Sequence, residues 1–177
     1  MTRDSCTSHT PASKALLRLL KLIAIGFVTL WLPHEISYKL LKNRIVRRRR
    51  WDLNICCGTT DGGGVNADIF AHVRLPKFVQ VDVYRLPFAD NRFESVLCSH
   101  TIEHVDDPEA FYCEMKRVGQ NVTLVLPPLW DITAAFNHLE HRWLFLTMKK
   151  EHSTLPHYTR LPGADFVQKI LGQRIHA

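Results

Sequence analysis

Apolar positions fall into three patterns along the chain. Residues 15–32 (ALLRLLKLIAIGFVTLWL) are apolar almost throughout, broken by Arg18 and Lys21. Residues 34–46 return to helical spacing, with Ile36, Leu40, Leu41 and Ile45 on one side and Lys39, Lys42 and Arg44 around them. Pro33, between the two, is expected to end the first helix. From residue 53 onward, short apolar runs alternate with turns rich in Gly, Pro and Asp: 53–57 (LNICC), 65–69 (VNADI), 78–83 (FVQVDV), 95–99 (SVLCS) and 121–126 (NVTLVL). A helix is predicted over 108–117. Strands this apolar are best buried on both faces, which predicts an open, mostly parallel α/β sheet with ligands at the carboxyl ends of its strands. Beyond the paired Pro127 and Pro128, the aromatic stretch 130–148 reads as an amphipathic helix packing Trp143 and Phe145 inward. Residues 165–171 read as a last short helix ended by Gly172.

Charge divides the chain at residue 50. Residues 1–50 hold 11 Lys/Arg against 2 Asp/Glu, whereas the remaining 127 hold 12 against 15. The basic excess therefore belongs to an N-terminal helical segment (residues 1–50), separate from a small domain over residues 51–177. The uninterrupted apolar run 22–32 is shorter than the roughly 20 residues a spanning helix needs. A span requires Arg18 and Lys21 to reach back to one interface, and an in-plane or re-entrant anchor fits at least as well. No small-x-small cleavage site follows, because Trp31, Leu32, Pro33 and His34 stand there, so the segment is expected to be retained. Arg47, Arg48, Arg49 and Arg50 beside an apolar helix favour an anionic membrane surface, at about 1 kcal/mol per cation, and mark the cytoplasmic side. Nucleic acid is the weaker reading of the same run, since no aromatic-interleaved basic groove accompanies it.

A hydrophobic content of 46% with 23% charged residues suits a globular chain able to bury a core. Five cysteines (Cys6, Cys56, Cys57, Cys98, Cys113) show no CxxC pairing, which argues against a disulfide framework or a zinc site and suits a reducing compartment such as the cytosol.

Three segments carry a family resemblance. LNICCGTT (residues 53–60), VNADI (65–69) and LPFADNRFESVLCSHTIEHVDDPEAFYCEMKRVG (86–119) resemble, in order, the first strand and loop, the second strand with its terminal acid, and the fourth-strand region of the small class I, type 11-like S-adenosylmethionine-dependent methyltransferases. The resemblance implies an abbreviated Rossmann-like fold with S-adenosylmethionine as cofactor. Cys57 and Gly58 would pass their backbone against the methionine part, and Asp68 would accept the ribose hydroxyls. Asp82 and Val83 would border the adenine, and Ser99 and His100 would sit beside the sulfonium and the incoming nucleophile. His100 and His104 are the candidate bases, needed only if the acceptor is a hydroxyl or a weakly acidic carbon. His104 and Glu103 have a second reading as braces of the following helix.

The chain departs from the family at three places: Cys56 and Thr60 stand where glycines are usual, and Asn54 where an acid is frequent. Only the Gly-rich stretch 58–64 separates the first two strands, so it is expected to replace the usual crossover helix. With 127 residues after residue 50, the last strands are expected to be short or absent. The implied activity is methyl transfer to a small-molecule or lipid-linked, apolar acceptor at the cytoplasmic face of a membrane. The competing expectation is a catalytically degenerate fold serving as a membrane-associated scaffold. His138 and His141, at i and i+3, would share a helix face, but without a third ligand no metal is assigned.

Overall fold

The computed structural model describes residues 11–172; Cys6 lies outside them. Helix α1 (Pro11–Glu35) does not end at Pro33. It continues through a π-helical stretch, Ile36–Lys42, into α2 (Asn43–Arg47). Proline removes one backbone donor and crowds the preceding turn, and the wider π spacing follows directly after it. Leu16 to Leu32 leave their apolar side chains exposed, whereas Ser37 and Val46 are buried against the domain. The expected apolar side is only partly used: Ile45 packs inward, while Ile36 and Leu40 stay exposed.

The domain is a six-stranded sheet in the order β3-β2-β1-β4-β5-β7, built from β1 (Trp51–Ile55), β2 (Gly63–Asp68), β3 (Phe78–Gln80), β4 (Phe93–Ser99), β5 (Gly119–Val125) and β7 (Glu151–His152). The first five strands run parallel and only β7 is antiparallel. The order reverses between β1 and β4, the position at which open α/β sheets bind ligands. Two further short strands, β6 (Trp143–Phe145) and β8 (Tyr158–Arg160), form a separate antiparallel pair. The late strands are thus two or three residues long, as the chain length suggests. The third strand is shorter than its apolar run, because Asp82 to Arg85 turn back on themselves.

One face of the sheet is covered by α3 (Pro108–Val118). Asp107 caps it by accepting from the Ala110 N–H at 3.0 Å, and Pro108 occupies its first turn. Phe111, Met115 and Val118 recur at helical spacing and bury themselves among Leu53, Ile55, Val96, Cys98, Val122 and Leu124. From the end of α3, Arg117 donates to the carbonyls of Leu86 and Phe88 and to Asp90 and Glu114, at 2.7 to 2.9 Å. This clamp ties the Leu-Pro-Phe-Ala-Asp turn to the helix.

The other face is built differently. Residues 56–62 return from the top of β1 to the bottom of β2 without a helix, and Trp51 and Gly63 still lie in parallel register. Gly62 makes the return possible, since a Cβ there would lie 2.6 Å from the Asn54 Cβ. Buried Asn54 donates to the Thr60 carbonyl at 2.9 Å and to Asn66 Oδ1 at 3.3 Å. Asn66 Oδ1 also accepts from the Gly62 N–H, and its amide donates to Asp61 and to the Pro76 carbonyl. The two asparagines clasp the segment where a crossover helix would otherwise lie. They also explain the departure at residue 54, because a carboxylate there has no proton to give the Thr60 carbonyl. The remaining gap is filled by α2, whose Val46 packs with Trp51, Leu97 and Val125 while the Val46 carbonyl accepts from the Trp51 indole.

Residues 130–148 do not form the expected helix. Only α4 (Ile132–Ala135) is helical, capped by Asp131, and the chain then turns into β6. Phe145 is nevertheless buried and Trp143 packs against the core. The aromatic positions report burial correctly, but their period does not distinguish a turn and strand from a helix. The closing helix α5 (Ala164–Leu171) ends at Gly172 as expected.

Asn54→Asp removes the clasp's donor and buries a charge beside Asn66 Oδ1. It is expected to cost about 2 kcal/mol or more, seen as a lower urea midpoint with an unchanged slope.

Candidate functional site at the carboxyl ends of the strands

The turn after β1 places Cys56 at φ 52° and Gly58 at φ 52°, both left-handed. Cys56 therefore holds, with a side chain, a conformation that favours glycine. Gly58 is fixed from below: its N–H donates to Asp68 Oδ2 at 2.8 Å, while Asp68 Oδ1 accepts from the Ile69 N–H at 2.8 Å. Asp68 thus ends β2 as an almost fully buried carboxylate that braces the turn after β1.

Two cavities flank this brace. The first, about 280 Å³, is lined by Cys56, Cys57, Gly58, Ser99 and His100 from the sheet edge, and by Tyr38, Lys42 and Val46 from the N-terminal helical segment. Ser99 Oγ is buried here with no hydrogen-bond partner. The second, about 510 Å³ and more open, is lined by Ile69, Gln80, Val81, Asp82, Val83 and Tyr84.

His100 is the hinge of the site. It follows β4 at φ 55°, and its ring meets Tyr38 edge-on at 5.4 Å. Its Nε2 lies 2.7 Å from Lys150 Nζ, which also donates to Ser37 Oγ at 2.8 Å. An ammonium can only donate, so His100 Nε2 accepts and the ring proton sits on Nδ1, 3.4 Å from Glu103 Oε1. Burial pushes His100 down to about 4 and Lys150 down to about 8, in each case partly offset by Glu103.

Behind His100 a third cavity, about 290 Å³, lies between the N-terminal helix and the turn after α4. Tyr38, His100, His104, Asn137 and His141 contribute to its wall. Glu103 beneath it is completely buried. Burial raises its pKa, but the nearby His100 Nδ1–H, 3.4 Å away, and the imidazoles of His104 and His141 outweigh this and hold the carboxyl at about 2. His104 Nδ1 is 2.9 Å from the Glu140 carbonyl and so donates to it, and the rings of His104 and His141 meet edge-on at 4.7 Å. The Glu103 carbonyl accepts from the N–H groups of Arg142 and Trp143, which locks the turn to the strand end.

A methyltransferase-domain family model matches residues 64–123, which hold β2 through most of β5. The resemblance is to a methyltransferase domain. Among solved structures, the chain is similar to the YcgJ protein from Bacillus subtilis at 20% identity, covering 60% of this chain and 59% of that one, with a TM-score of 0.42. It is similar to a SAM-dependent methyltransferase from Thermotoga maritima at 20% identity, covering 63% and 59%, with a TM-score of 0.41. A SAM-dependent methyltransferase from Aquifex aeolicus is matched at 12% identity, covering 67% and 73%, with a TM-score of 0.37. The chain spans 59% of the length of the first two of these proteins. No curated protein matches it. The fold is a Rossmann-like α/β arrangement, and S-adenosylmethionine is the cofactor of the methyltransferases to which the chain is similar.

Against the methyltransferase pattern, Cys57, Gly58, Ser99 and His100 meet at the first cavity, and Asp82 and Val83 at the second. Asp68 stands below both, engaged with the backbone of Gly58 and Ile69. His104 is separate from the first cavity and faces the third. His138 and His141 are not on one helix face: His138 points outward, bonded to the Phe136 and Pro162 carbonyls, whereas His141 turns inward to Glu103 and His104. Sequence reasoning missed Tyr38, Lys42 and Lys150, which come from the N-terminal segment and the edge of β7 and have no motif to mark them.

Lys150 gives a pH test. Its folded value, about 8, lies below its ordinary 10.5, so the folded state disfavours the ammonium and releases the proton first. The associated stability is fully present above pH 10.5 and lost as pH falls through about 8. Relative to Lys150→Met, wild-type unfolding free energy should rise by about 3 kcal/mol between pH 8 and 10.5, measured by denaturant titration of both proteins across that range.

Proposed function

We propose that this chain binds S-adenosylmethionine across the first two cavities and transfers its methyl group to a lipid-linked or otherwise apolar small-molecule acceptor at an anionic, cytoplasmic membrane surface. The observation that carries the reading is the pair of cavities at the carboxyl ends of the strands, one beside the β1/β4 reversal edged by Cys57, Gly58 and Ser99, the other after β3 edged by Asp82 and Val83, with Asp68 at the end of the intervening β2. The residues fit such a ligand: Ser99 Oγ is a buried hydroxyl without a partner, and a Cβ on Gly58 would meet nothing within 4 Å, so the turn leaves open space above it.

The cofactor supplies a sulfonium methyl that is already activated, so alignment of the acceptor accounts for most of the acceleration, through effective molarities of about 10⁵ to 10⁸ M. The chain's part is to hold and to exclude water. Asp68 sets the turn and retains lone pairs for hydroxyl donors, Ser99 offers its hydroxyl, and Asp82 and Val83 wall the open side. Lys150 keeps His100 neutral and oriented, so His100 lines the cavity as a fixed imidazole and can take an acceptor proton only when that contact is released. His104, held by the Glu140 carbonyl, serves as a brace in this geometry.

The membrane part rests on α1. One helix, Ser13–Arg47, is long and apolar enough to cross a bilayer. Its side chains from Leu16 to Leu32 are exposed, and the arginines 47–50 follow its end. The helix runs straight into Tyr38 and Lys42 of the first cavity, and α4, which packs against it, exposes Ile132 and Phe136. An acceptor held in the lipid would reach the site along this side.

A second reading, a scaffold without turnover, is favoured by Cys56, whose side chain lines the first cavity where the family has glycine. Calorimetric titration of the full chain in detergent with S-adenosylmethionine and S-adenosylhomocysteine separates the two. Saturable binding, weakened at least about tenfold in Asp68→Ala, is expected; a folded protein that binds neither leaves the scaffold. Flotation with vesicles should show binding to anionic lipid that falls when residues 47–50 are replaced by alanine, by about 1 kcal/mol per arginine removed.

A further inference from the structure

The least satisfied polar group among the described residues is the Glu103 carboxylate. It is completely buried, and neither oxygen has a hydrogen-bond partner. Its nearest nitrogens are His100 Nδ1 at 3.4 Å and His141 Nε2 at 3.9 Å. An ionised carboxylate withdrawn from water needs a paired cation or several donors, and the Lys150 ammonium is spent on His100 and Ser37. Buried His141 adds a second orphan, since its Nδ1 has no hydrogen-bond partner.

His104 completes a triangle. One ligand atom from each of Glu103, His104 and His141 lies within 4.8 Å of the other two, and all three residues are buried. Around a tetrahedral zinc ion, donors at about 2.1 Å from the metal stand about 3.4 Å from one another, so closure needs shifts of about 1 Å. The supporting contact is in place as well: His104 Nδ1–H donates to the Glu140 carbonyl, which leaves its lone pair on Nε2. A ligating histidine is typically held in this way by its other nitrogen.

From this juxtaposition we infer that Glu103, His104 and His141 form a binding site for a divalent transition metal ion of the zinc class. Two imidazoles and one carboxylate are a donor set for zinc or a neighbouring first-row ion, rather than for magnesium or calcium, which prefer all-oxygen shells. Three protein ligands leave a coordination position, and the third cavity, about 290 Å³, opens beside it. That position takes water or an oxygen or nitrogen donor of a small molecule. The ion also adds a link between the turn after α4 and the end of β4, beside the contacts of the Glu103 carbonyl and of His104 with the Glu140 carbonyl. This inference stands apart from cofactor binding and is tested without it.

The test uses the full chain in detergent, purified without a polyhistidine tag and stripped with chelator. It is titrated with ZnCl₂ by calorimetry and with CoCl₂ by visible absorption. One ion per chain is expected, with cobalt bands typical of low-symmetry nitrogen and oxygen coordination. Affinity should fall at least about 100-fold in Glu103→Gln and in His141→Gln, and stay unchanged in His138→Ala, which removes an outward-facing imidazole. Circular dichroism reports folding, and if Glu103→Gln does not fold, His141→Gln decides. A folded wild type that takes up neither ion overturns the inference, as does unchanged binding in the folded His141→Gln protein.

Discussion

The seven-residue return from β1 to β2 is the constraint around which the rest of the structure is arranged. It delivers a parallel strand pair without a crossover helix, and it does so because Gly62 lies against Asn54 and because two buried asparagines bond to the backbone of the returning segment. A helix would have covered that face of the sheet. Its absence leaves Leu97, Val125 and Trp51 to be covered by something else, and α2 supplies Ile45 and Val46. Apolar area cannot be left bare at little cost, at about 25 cal/mol per Å², so the N-terminal segment becomes part of the domain's core.

That substitution has a functional consequence. In covering the sheet, the N-terminal segment brings Ser37, Tyr38 and Lys42 over the carboxyl ends of the strands. There they meet Lys150 and His100. The helix that exposes its apolar side chains is therefore covalently continuous with one wall of the cavity. A bidentate pair of Arg48 with Glu151 and a contact of His34 with Asp131 fasten the same segment at two further points. The exposed apolar helix and the cavity wall are mechanically joined rather than separate modules.

The site itself is polarised. In and below the first cavity the polar groups include the backbone of the turn after β1, the Asp68 that braces it, an unpartnered serine hydroxyl and the Lys42 cation. On the other side lies a buried carboxylate ringed by imidazoles. His100 and Tyr38 belong to the walls of both compartments.

Much of this was legible in the residues. The apolar runs located the five parallel strands to within a few positions, since strands buried on both faces need continuous apolar sequence. The segment from Leu86 to Gly119 carries its own local logic in the cap at Asp107, the α3 stripe and the Arg117 clamp. The Gly-rich stretch was correctly read as a helix replacement because seven residues hold no helix. Periodicity could not tell that Pro33 would be absorbed in a longer helix, or that residues 130–148 would fold as a turn and a strand, because burial of aromatics looks alike in both. Nor could it find Lys150, or the meeting of Glu103 and His104 with His141. Those contacts join residues more than thirty positions apart, and only the packed chain decides which polar groups lose their water together.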